Sequence, residues 1–318
     1  MNHADTNRSA GLARNVELAL RFKKSQGTQE MPQVEREVLA PNYDRVRGGN
    51  FHLASNARDQ GFPAPGMYLR SAFPDRVDVI EEVIAEGDTV GLLFRVTGTH
   101  TGNFFGIPPT GKKIDVYEIA MLRIVNGQMV EGWFMMDETA LLQQLGAKMP
   151  MRKDGKTIAP PLPNAGEDAD VFVQRLAAQP PGSQHDRNKV VAARSRSSTS
   201  SKNDRAADHR QRRFGFHHLR EYGKAHGLGE LALDAAFPDR RDRIEVLIAE
   251  GDHVWMRFNT GGTHMANLYG VPATGRRVGV PVVAIMRFSD GKFKESWIFA
   301  DELGLLSQLG APNLLLAE

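Results

Sequence analysis

The chain contains no cysteine, which excludes disulfide bonds, thiolate metal sites and cysteine nucleophiles. It also lacks any apolar run of the about 18 residues that span a membrane, and its N-terminal stretch lacks the apolar centre of a secretory signal peptide. No glycine-rich nucleotide-binding motif, phosphate-binding loop or HExxH motif occurs. From these absences we expect a cytoplasmic protein that uses neither a cofactor nor a metal ion.

The chain as a whole also lacks a large excess of either positive or negative charge. The formal net charge of +2 over 318 residues gives no general attraction to nucleic acid or to a membrane surface. The exception is segment 185–213, which carries nine Lys or Arg residues against three Asp. It can be a nucleic-acid-binding arm, or a solvated, degenerate helix at the place of a first helix. No aromatic residue precedes Phe214 for base stacking. The second interpretation is therefore favoured, and we expect neither a nucleic-acid nor a membrane partner.

The strongest feature that is present is an internal repeat. Segments 72–147 and 236–311 align without a gap, from AFPDRVDVIEEVIAEGDTV and AFPDRRDRIEVLIAEGDHV to DETALLQQLGA and DELGLLSQLGA. A repeat of this length is a whole domain rather than a solenoid unit, and two domains fit the chain length. The predicted bounds are 12–147 for the first domain, 148–185 for a linker with a candidate helix at 168–178, and 186–313 for the second domain.

Within each copy the apolar spacing changes from helical to a period of two, which predicts helices followed by a curved antiparallel sheet. Gly87-Asp88 and Asn126-Gly127 are typical of hairpin turns, and Gly146 suits a helix C-terminal cap. In the first copy the predicted helices are 11–25, 34–39 and 138–145, the strands are 77–86, 89–100, 114–125 and 128–137, and the loops are 51–66 and 106–112. The fold class is therefore α+β.

The alternation of side chains along a strand sorts the retained residues by face. The retained face of the last strand carries Met129, Glu131, Trp133, Met135 and Asp137 in the first copy, and Phe293, Glu295, Trp297, Phe299 and Asp301 in the second. In an earlier strand Phe94 and His100 share a face, as do Phe258 and His264. We interpret both faces as the inside of the sheet, which would bring a carboxylate, an imidazole and aromatic side chains into one pocket.

A carboxylate in a dry pocket has a raised pKa and can serve as a general acid or base, and an imidazole, indole or phenol can stabilise an enolate. The predicted catalytic residues are Asp137 and His100, with Asp301 and His264 in the second copy. The predicted substrate-binding residues are Trp133, Tyr117, Phe94, Met135, Trp297, Phe258 and Phe299. Simpler roles stay open, because both aspartates precede a helix, where Asp is a favoured N-cap, and the histidines and tryptophans can be core residues.

Several pieces of the chain together resemble the SnoaL-like polyketide cyclase (ester cyclase) family of the nuclear-transport-factor-2-like superfamily. They are AFPD, the IAEGD hairpin, GTHTGNFFGIPPTGKKI with GTHMANLYGVPATGRRV, and EGWFMMDETALLQQLG with ESWIFADELGLLSQLG. The resemblance implies two tandem cone-shaped α+β barrels, in each of which a bent sheet surrounds a pocket closed by helices. Gly132 and Ser296 stand where family members often carry a histidine.

The same resemblance implies a cofactor-free intramolecular aldol condensation, with Asp137 and Asp301 at the family's acid/base position. The hypothesis is a cyclase, or a related lyase or isomerase, that acts on a small hydrophobic carbonyl compound. Gly279 and Pro281 replace Asp115 and Tyr117, so the second copy is the expected weaker half. The alternative is a non-catalytic small-molecule-binding or assembly module, in which the aspartates cap helices. In either case the duplication is expected to build an internal pseudo-dimer, with a homo-oligomer as a further option.

Overall fold

The structure is a computed structural model that describes residues 3–47, 65–150, 165–180 and 182–316. The chain divides into two compact units, with the boundary between Thr157 and Ile158. Each unit is an α+β structure with one sheet and flanking helices. No helix within the described ranges combines the length and the apolar character needed to cross a membrane.

The first unit begins with helices and ends with a sheet and a closing helix, in the order that the sequence predicts. Its helices are α1 (His3–Ser25), α2 (Met31–Val38), α3 (Pro65–Ala72) and α4 (Glu138–Leu145), and its strands are β1 (Leu39–Arg47), β2 (Val77–Glu86), β3 (Thr89–Thr99), β4 (Lys113–Val125) and β5 (Gln128–Met136). Asn126 and Gly127 both have positive φ, 53° and 76°, as the predicted two-residue hairpin turn requires. Gly146 at φ 63° caps α4.

The sheet of the first unit is open and mixed, in the order β1-β5-β4-β3-β2. The sequence predicts only its four antiparallel strands. The fifth, β1, pairs parallel to β5 with a register shift between Leu39 and Asp44, and Pro41 lies within that shift. Pro, Asn and Asp are depleted in strands, so the pairing is specified by tertiary contact with β5 rather than by local propensity. The predicted loop at 51–66 lies for the most part outside the described residues.

The second unit repeats this topology with one added strand at the sheet edge. Its helices are α5 (Ala169–Ala177), α6 (Gln184–Arg194), α7 (His217–Ala225), α8 (Leu233–Ala236) and α9 (Glu302–Leu309), and its strands are β6 (Glu167–Asp168), β7 (Arg205–Arg213), β8 (Arg241–Glu250), β9 (His253–Thr263), β10 (Arg277–Ser289) and β11 (Lys292–Ala300). The sheet order is β6-β8-β9-β10-β11-β7, with β7 parallel to β11. Strand β7 is thus the counterpart of β1.

The basic segment 185–213 is built into the second unit. Its first part continues α6, and its last part is strand β7 on the edge of the sheet. Between them, Arg194 forms an ion pair with Asp204, and the backbone N–H of Ser198 donates to Asp170 Oδ1 at 2.7 Å. The predicted degenerate helix therefore covers only about the first third of the segment, and the last third is a strand that the sequence does not predict.

The last part of the predicted linker, 148–185, is also structured. Helix α5, close to the candidate helix, carries the buried side chains Ala169 and Phe172 into the hydrophobic core of the second unit. Residues 151–164 of the predicted linker lie outside the described residues. The bounds 12–147 and 186–313 stay predictions, and we propose that the second domain includes residues 165–185, because β6 pairs with β8.

In the first unit the side chain of Tyr43 on β1 packs closely over Gly132 of β5. A Cβ atom added at Gly132 would overlap the hydroxyl of Tyr43 and lie 2.8 Å from Phe134 Cε2. Glycine is needed there because the tyrosine ring of the neighbouring strand occupies the space above it. At the equivalent place in the second unit, Ser296 already has a side chain, and His209 stands in place of Tyr43.

We predict that Gly132→Ala lowers the free energy of unfolding by about 1–3 kcal/mol, because overpacking forces neighbouring side chains out of their places. The measurement is urea unfolding followed by circular dichroism. The double variant Gly132→Ala/Tyr43→Phe should recover part of the loss, since it removes the overlapping oxygen. The matched variant Ser296→Ala needs no new space. An equal loss in Gly132→Ala and Ser296→Ala would contradict this explanation.

Candidate functional site

The strand register divides the predicted site residues between two faces of the sheet. Directly opposite residues of paired strands share a face. Phe94 is opposite Glu118, which is opposite Met136, whereas Met135 is opposite Ile119. We call the side that carries Phe94 the helix face, because Lys23 of α1 lies 3.8 Å from the centroid of its ring. The other side is called the second face.

The expectation of one shared pocket is therefore wrong. Trp133, Met135 and Tyr117 alternate with Phe134 and Glu118, and lie on the second face. In the second unit Trp297 and Phe299 lie on the second face, and Phe258 on the helix face. Sequence parity alone cannot relate two strands, because their relative register is a tertiary property.

A β-bulge also breaks the assumed alternation within β5. Arg123 pairs with Glu131, but its neighbour Ile124 pairs with Met129. Two residues of β5 therefore oppose one step of β4, and Met129 turns to the helix face. The corresponding bulge in the second unit moves Phe293 to the helix face in the same way, where it pairs with Phe288.

His100 and His264 are fully buried, in line with the apolar residues before them. The Nδ1 atom of His100 accepts from the backbone N–H of Thr110 at 3.3 Å and contacts its Oγ1 at 3.0 Å. Its ring stacks on Phe73 at 5.2 Å between centroids. Burial lowers the pKa of His100, which a contact with the backbone of Gly102 partly opposes. The neutral imidazole of His100 thus stabilises the loop after β3 through these contacts.

The same fastening occurs at equivalent positions of the second unit, where His264 Nδ1 accepts from the N–H of Thr274 at 3.3 Å. Asp75 and Asp239 complete each loop by accepting from the backbone N–H groups of Thr99 and Thr263 at 2.7 and 2.6 Å. These contacts explain why AFPD and GTH are retained in both copies. Retention of the motif therefore reflects the folding of the loop.

Asp137 and Asp301 both act as helix N-caps. Asp137 Oδ1 accepts from the N–H of Ala140 at 3.0 Å, and Asp301 Oδ1 from that of Gly304 at 2.8 Å. The backbone N–H of Asp137 donates to Tyr117, which is opposite Arg95. His100 follows Arg95 by five residues, so about 16 Å of strand separates it from the level of Asp137. Their catalytic role stays a prediction, without the predicted histidine beside them.

The helix face of the first unit carries a buried cluster of ionised side chains. Asp78, with a side chain 1% exposed, accepts from Arg76 at 2.8 and 3.0 Å and lies 2.9 Å from Lys23 Nζ. A second carboxylate, Glu118, is 3.8 Å from Arg76. Burial alone would raise the pKa of Asp78, but the charges of Lys23 and Arg76 outweigh it and hold the pKa below its usual value. The two positive charges are thus met by two negative ones.

The equivalent position of the second unit is Asp242, which has fewer close charged partners than Asp78. The side chain is 8% exposed, and Arg196 Nη1 is 3.9 Å from its Oδ2. Its Oδ1 is buried and has no hydrogen-bond partner. Arg196 takes the place of Lys23, since its guanidinium lies 5.2 Å from the ring centroid of Phe258. Val282 stands where the first unit has Glu118.

A cavity of about 210 Å³ lies beside Asp242, between the sheet of the second unit and its helices. Its sheet side is formed by helix-face residues, Phe258, Thr260, Val282 and Ile298. Phe258 is therefore the predicted substrate-binding residue that lines this cavity. Asp242 was not predicted, although its presence near the start of a strand, in phase with Ile244, is a signal that the sequence carries.

A histidine also borders this region, from a strand that the sequence does not predict. His209 of β7 lies 2.9 Å from Ser296 Oγ, which donates to Gln211 Oε1 at 2.9 Å. Since the hydroxyl proton is directed to Gln211, His209 Nε2 donates and Nδ1 is left as an acceptor. Burial, together with the charge of Arg205, lowers the pKa of His209. An imidazole thus lies beside Ser296, the position at which the resemblance implies a histidine.

Among the side chains that the structure describes, no three His, Asp or Glu residues come together as a metal site would require. The groups that meet at the cavity are a carboxylate, guanidinium groups, an aromatic ring and apolar side chains. Such a set can bind a small organic molecule, remove a proton and stabilise a negatively charged oxygen.

Comparison with known families agrees with the repeat. SnoaL-like polyketide cyclases match residues 60–145 and 199–309, more than half of the chain. The chain belongs to the SnoaL-like polyketide cyclase family. Its two matched regions correspond to the two units, and the tandem arrangement expected from the sequence is confirmed.

Among curated proteins, the chain is 37% identical over 71 residues to the aklanonic acid methyl ester cyclase DnrD of Streptomyces peucetius, which covers 22% of this chain and 49% of that protein. DauD of Streptomyces sp. (strain C5), with the same description, is 37% identical over 71 residues, 22% of this chain and 44% of the relative. The chain thus spans about half the length of the curated relatives it matches.

Among solved structures, a candidate SnoaL-like polyketide cyclase from Jannaschia sp. CCS1 is 27% identical, with a TM-score of 0.37, over 42% of this chain and 92% of that chain. An NTF2-like protein from Burkholderia thailandensis E264 is 15% identical, with a TM-score of 0.32, over 41% and 96%.

We predict that Asp78→Asn lowers the free energy of unfolding by about 3 kcal/mol at pH 7, because it leaves two buried cations with Glu118 alone. A carboxylate with a depressed pKa stabilises the folded state above its unfolded pKa of about 3.9. That contribution is lost as the pH falls through the folded pKa. The difference between wild type and variant should therefore narrow below about pH 4, as measured by urea unfolding over a pH series.

The matched control is Asp242→Asn at the equivalent position. Its carboxylate accepts no hydrogen bond from a cation, and its ion-pair partner Arg196 is 3.9 Å away, so the change should alter the free energy of unfolding by less than about 1 kcal/mol. Equal decreases in the free energy of unfolding for Asp78→Asn and Asp242→Asn at pH 7 would contradict the prediction that only Asp78 is needed to balance two buried cations.

Proposed function

We propose that this protein is a cofactor-independent, cyclase-type enzyme that acts on a small hydrophobic carbonyl compound in the cavity of the second unit. The observation that carries the proposal is Asp242, which lines the cavity and whose buried Oδ1 has no hydrogen-bond partner among the described residues. A buried polar atom left without a partner is costly to the folded state, and such groups are typical of functional sites. Membership of the family and the cyclase names of the curated relatives support the class of reaction.

In the proposed reaction, the carboxylate of Asp242 removes a proton from the carbon next to a carbonyl group of the substrate. The electron pair of the broken C–H bond passes to the carbonyl oxygen, and the guanidinium of Arg196 stabilises the resulting enolate. The enolate carbon then attacks a second carbonyl, which forms a C–C bond and an alkoxide. The alkoxide takes the proton back from the Asp242 carboxylic acid, so the protein returns to its initial state.

The apolar wall supports this chemistry in two ways. Phe258, Val282 and Ile298 bind the hydrocarbon part of the substrate, and they keep water away from the carboxylate. His209 adds a neutral imidazole in the adjoining cavity of about 30 Å³, which shares Arg196 and Ile298 with the larger one. A neutral imidazole can position a second polar group of the substrate by a hydrogen bond.

The alternative is a binding module without catalysis. It is favoured by a specific observation, since both strand-end aspartates point their Oδ1 atoms at a backbone N–H group as caps do. Such a module would bind the same class of molecule in the same cavity and leave it unchanged.

The test that separates the two uses 2-tetralone as a small ketone, with α-hydrogens that exchange for deuterium in D₂O. We predict that the full-length protein accelerates this exchange, followed by NMR, and that Asp242→Asn reduces the accelerated rate by about 10²-fold or more, because an amide cannot accept the proton. Asp301→Asn, which keeps the cap, should retain the rate within about twofold.

The opposite pattern, with Asp301→Asn inactive and Asp242→Asn active, would move the acid/base site to the strand end that the resemblance implies. Binding of 2-tetralone without any acceleration of the exchange would favour the binding module. Circular dichroism of both variants checks that their folds are retained.

A further inference from the structure

Arginine side chains are concentrated around the cavity of the second unit. Four arginines line it from four separate segments, and Asp242 is the one acidic side chain among its lining residues. The four are Arg196 after α6, Arg205 of β7, Arg220 of α7 and Arg240 before β8. Three positive charges are therefore in excess at a cavity with an apolar wall.

These arginines are only partly engaged by the protein itself. The side chain of Arg205 makes no hydrogen bond or ion pair with any residue that the structure describes, whereas its backbone N–H donates to the carbonyl of Lys202. Arg240 lies 3.3 Å from the exposed Asp234, and Arg220 donates to the carbonyl of Gly215 at 3.1 Å. Burial, with the nearby charges of Arg240 and Arg205, lowers the pKa of Arg196, and only Asp242 opposes this.

The two units differ in how far carboxylates balance the cations on the helix face of the sheet. There Lys23 and Arg76 are balanced by Asp78 and Glu118. In the second unit the equivalent cations, Arg196 and Arg240, remain, but valine replaces the glutamate. The site has thus kept the cations, gained others from β7 and α7, and lost one carboxylate. A negative group supplied from outside would restore the balance.

We propose that the cavity of the second unit binds a small carboxylate-bearing hydrophobic compound, with its carboxylate between Arg196 and Arg205 and its apolar body against Phe258 and Val282. Guanidinium groups match a carboxylate by paired, charge-assisted hydrogen bonds. This proposal rests on the proposed function for the place of the site, and it adds the chemical class of the ligand. The basic segment 185–213 then recognises a small anion, not nucleic acid.

The volume limits the size of the ligand. A cavity of about 210 Å³ corresponds to about seven water molecules at about 30 Å³ each. That space suits one or two fused six-membered rings with a carboxylate directed to the arginine side.

The test measures the affinity of the full-length protein for 2-naphthoate and for its neutral analogue methyl 2-naphthoate, by isothermal titration calorimetry. We expect 2-naphthoate to bind at least about tenfold more tightly, a difference of about 1.4 kcal/mol. Arg205→Gln should weaken 2-naphthoate binding about tenfold and leave the ester unchanged. Arg205→Lys, which keeps the charge, should recover part of the affinity. The matched control is Arg210→Gln, one charge removed from the neighbouring part of β7, which should change neither affinity by more than about twofold.

Equal affinities for the acid and the ester, no binding of 2-naphthoate, or equal effects of Arg205→Gln and Arg210→Gln would each overturn the proposal. The outcome is separable from that of the proposed function. Binding of 2-naphthoate through Arg205 without any exchange of 2-tetralone would leave the anion site in place and remove the enzyme. Exchange that depends on Asp242, with no preference for the acid, would do the reverse.

Discussion

A carboxylate buried between a sheet and its helices needs a positive partner, and this constraint organises the interior of both units. An ion taken out of water loses several kcal/mol of solvation, which only close and well-oriented partners return. In the first unit Lys23 comes from α1 and Arg76 from the residue before β2, and both converge on Asp78. The cluster therefore fixes where α1 crosses the sheet. In the second unit the same carboxylate position has a partner at 3.9 Å, and space remains beside it.

Most of the fold could be predicted from the sequence because its signals are local. The hairpin at Asn126-Gly127 and the helix between Asp137 and Gly146 depend on turn and cap chemistry within a few residues, and the structure agrees with each. Strands β1 and β7 could not be predicted in this way. Both pair in parallel with the last antiparallel strand, and neither LAPNYDRVR nor RAADHRQRR alternates as a half-buried strand does. Their conformation follows from the edge of the sheet to which they pair.

The candidate site was harder to predict because it depends on register. Alternation within β3, and within β5 from Glu131 onward, correctly separates the faces of each strand, but it does not say which faces coincide. A shift of one residue between strands exchanges the faces, and the bulge that separates Met129 from Glu131 changes them again within β5. Asp242 could have been noticed, since a charged residue in phase with Ile244 enters an apolar face. The incomplete charge balance around Asp242 could not have been noticed from the sequence, because it depends on Val282 in another strand.

Several residues that are identical in the two copies have structural roles. The residues that both copies kept most strictly, such as His100 with His264 and Asp137 with Asp301, are those that fasten a loop or begin a helix. These demands are the same in every copy of a fold. The difference between Glu118 and Val282 separates a cluster that neutralises itself from one that leaves a carboxylate oxygen and several arginines beside a cavity. In a duplicated chain, the shared residues thus describe how each unit folds, and the position where one copy stops satisfying its own charges indicates where a ligand binds.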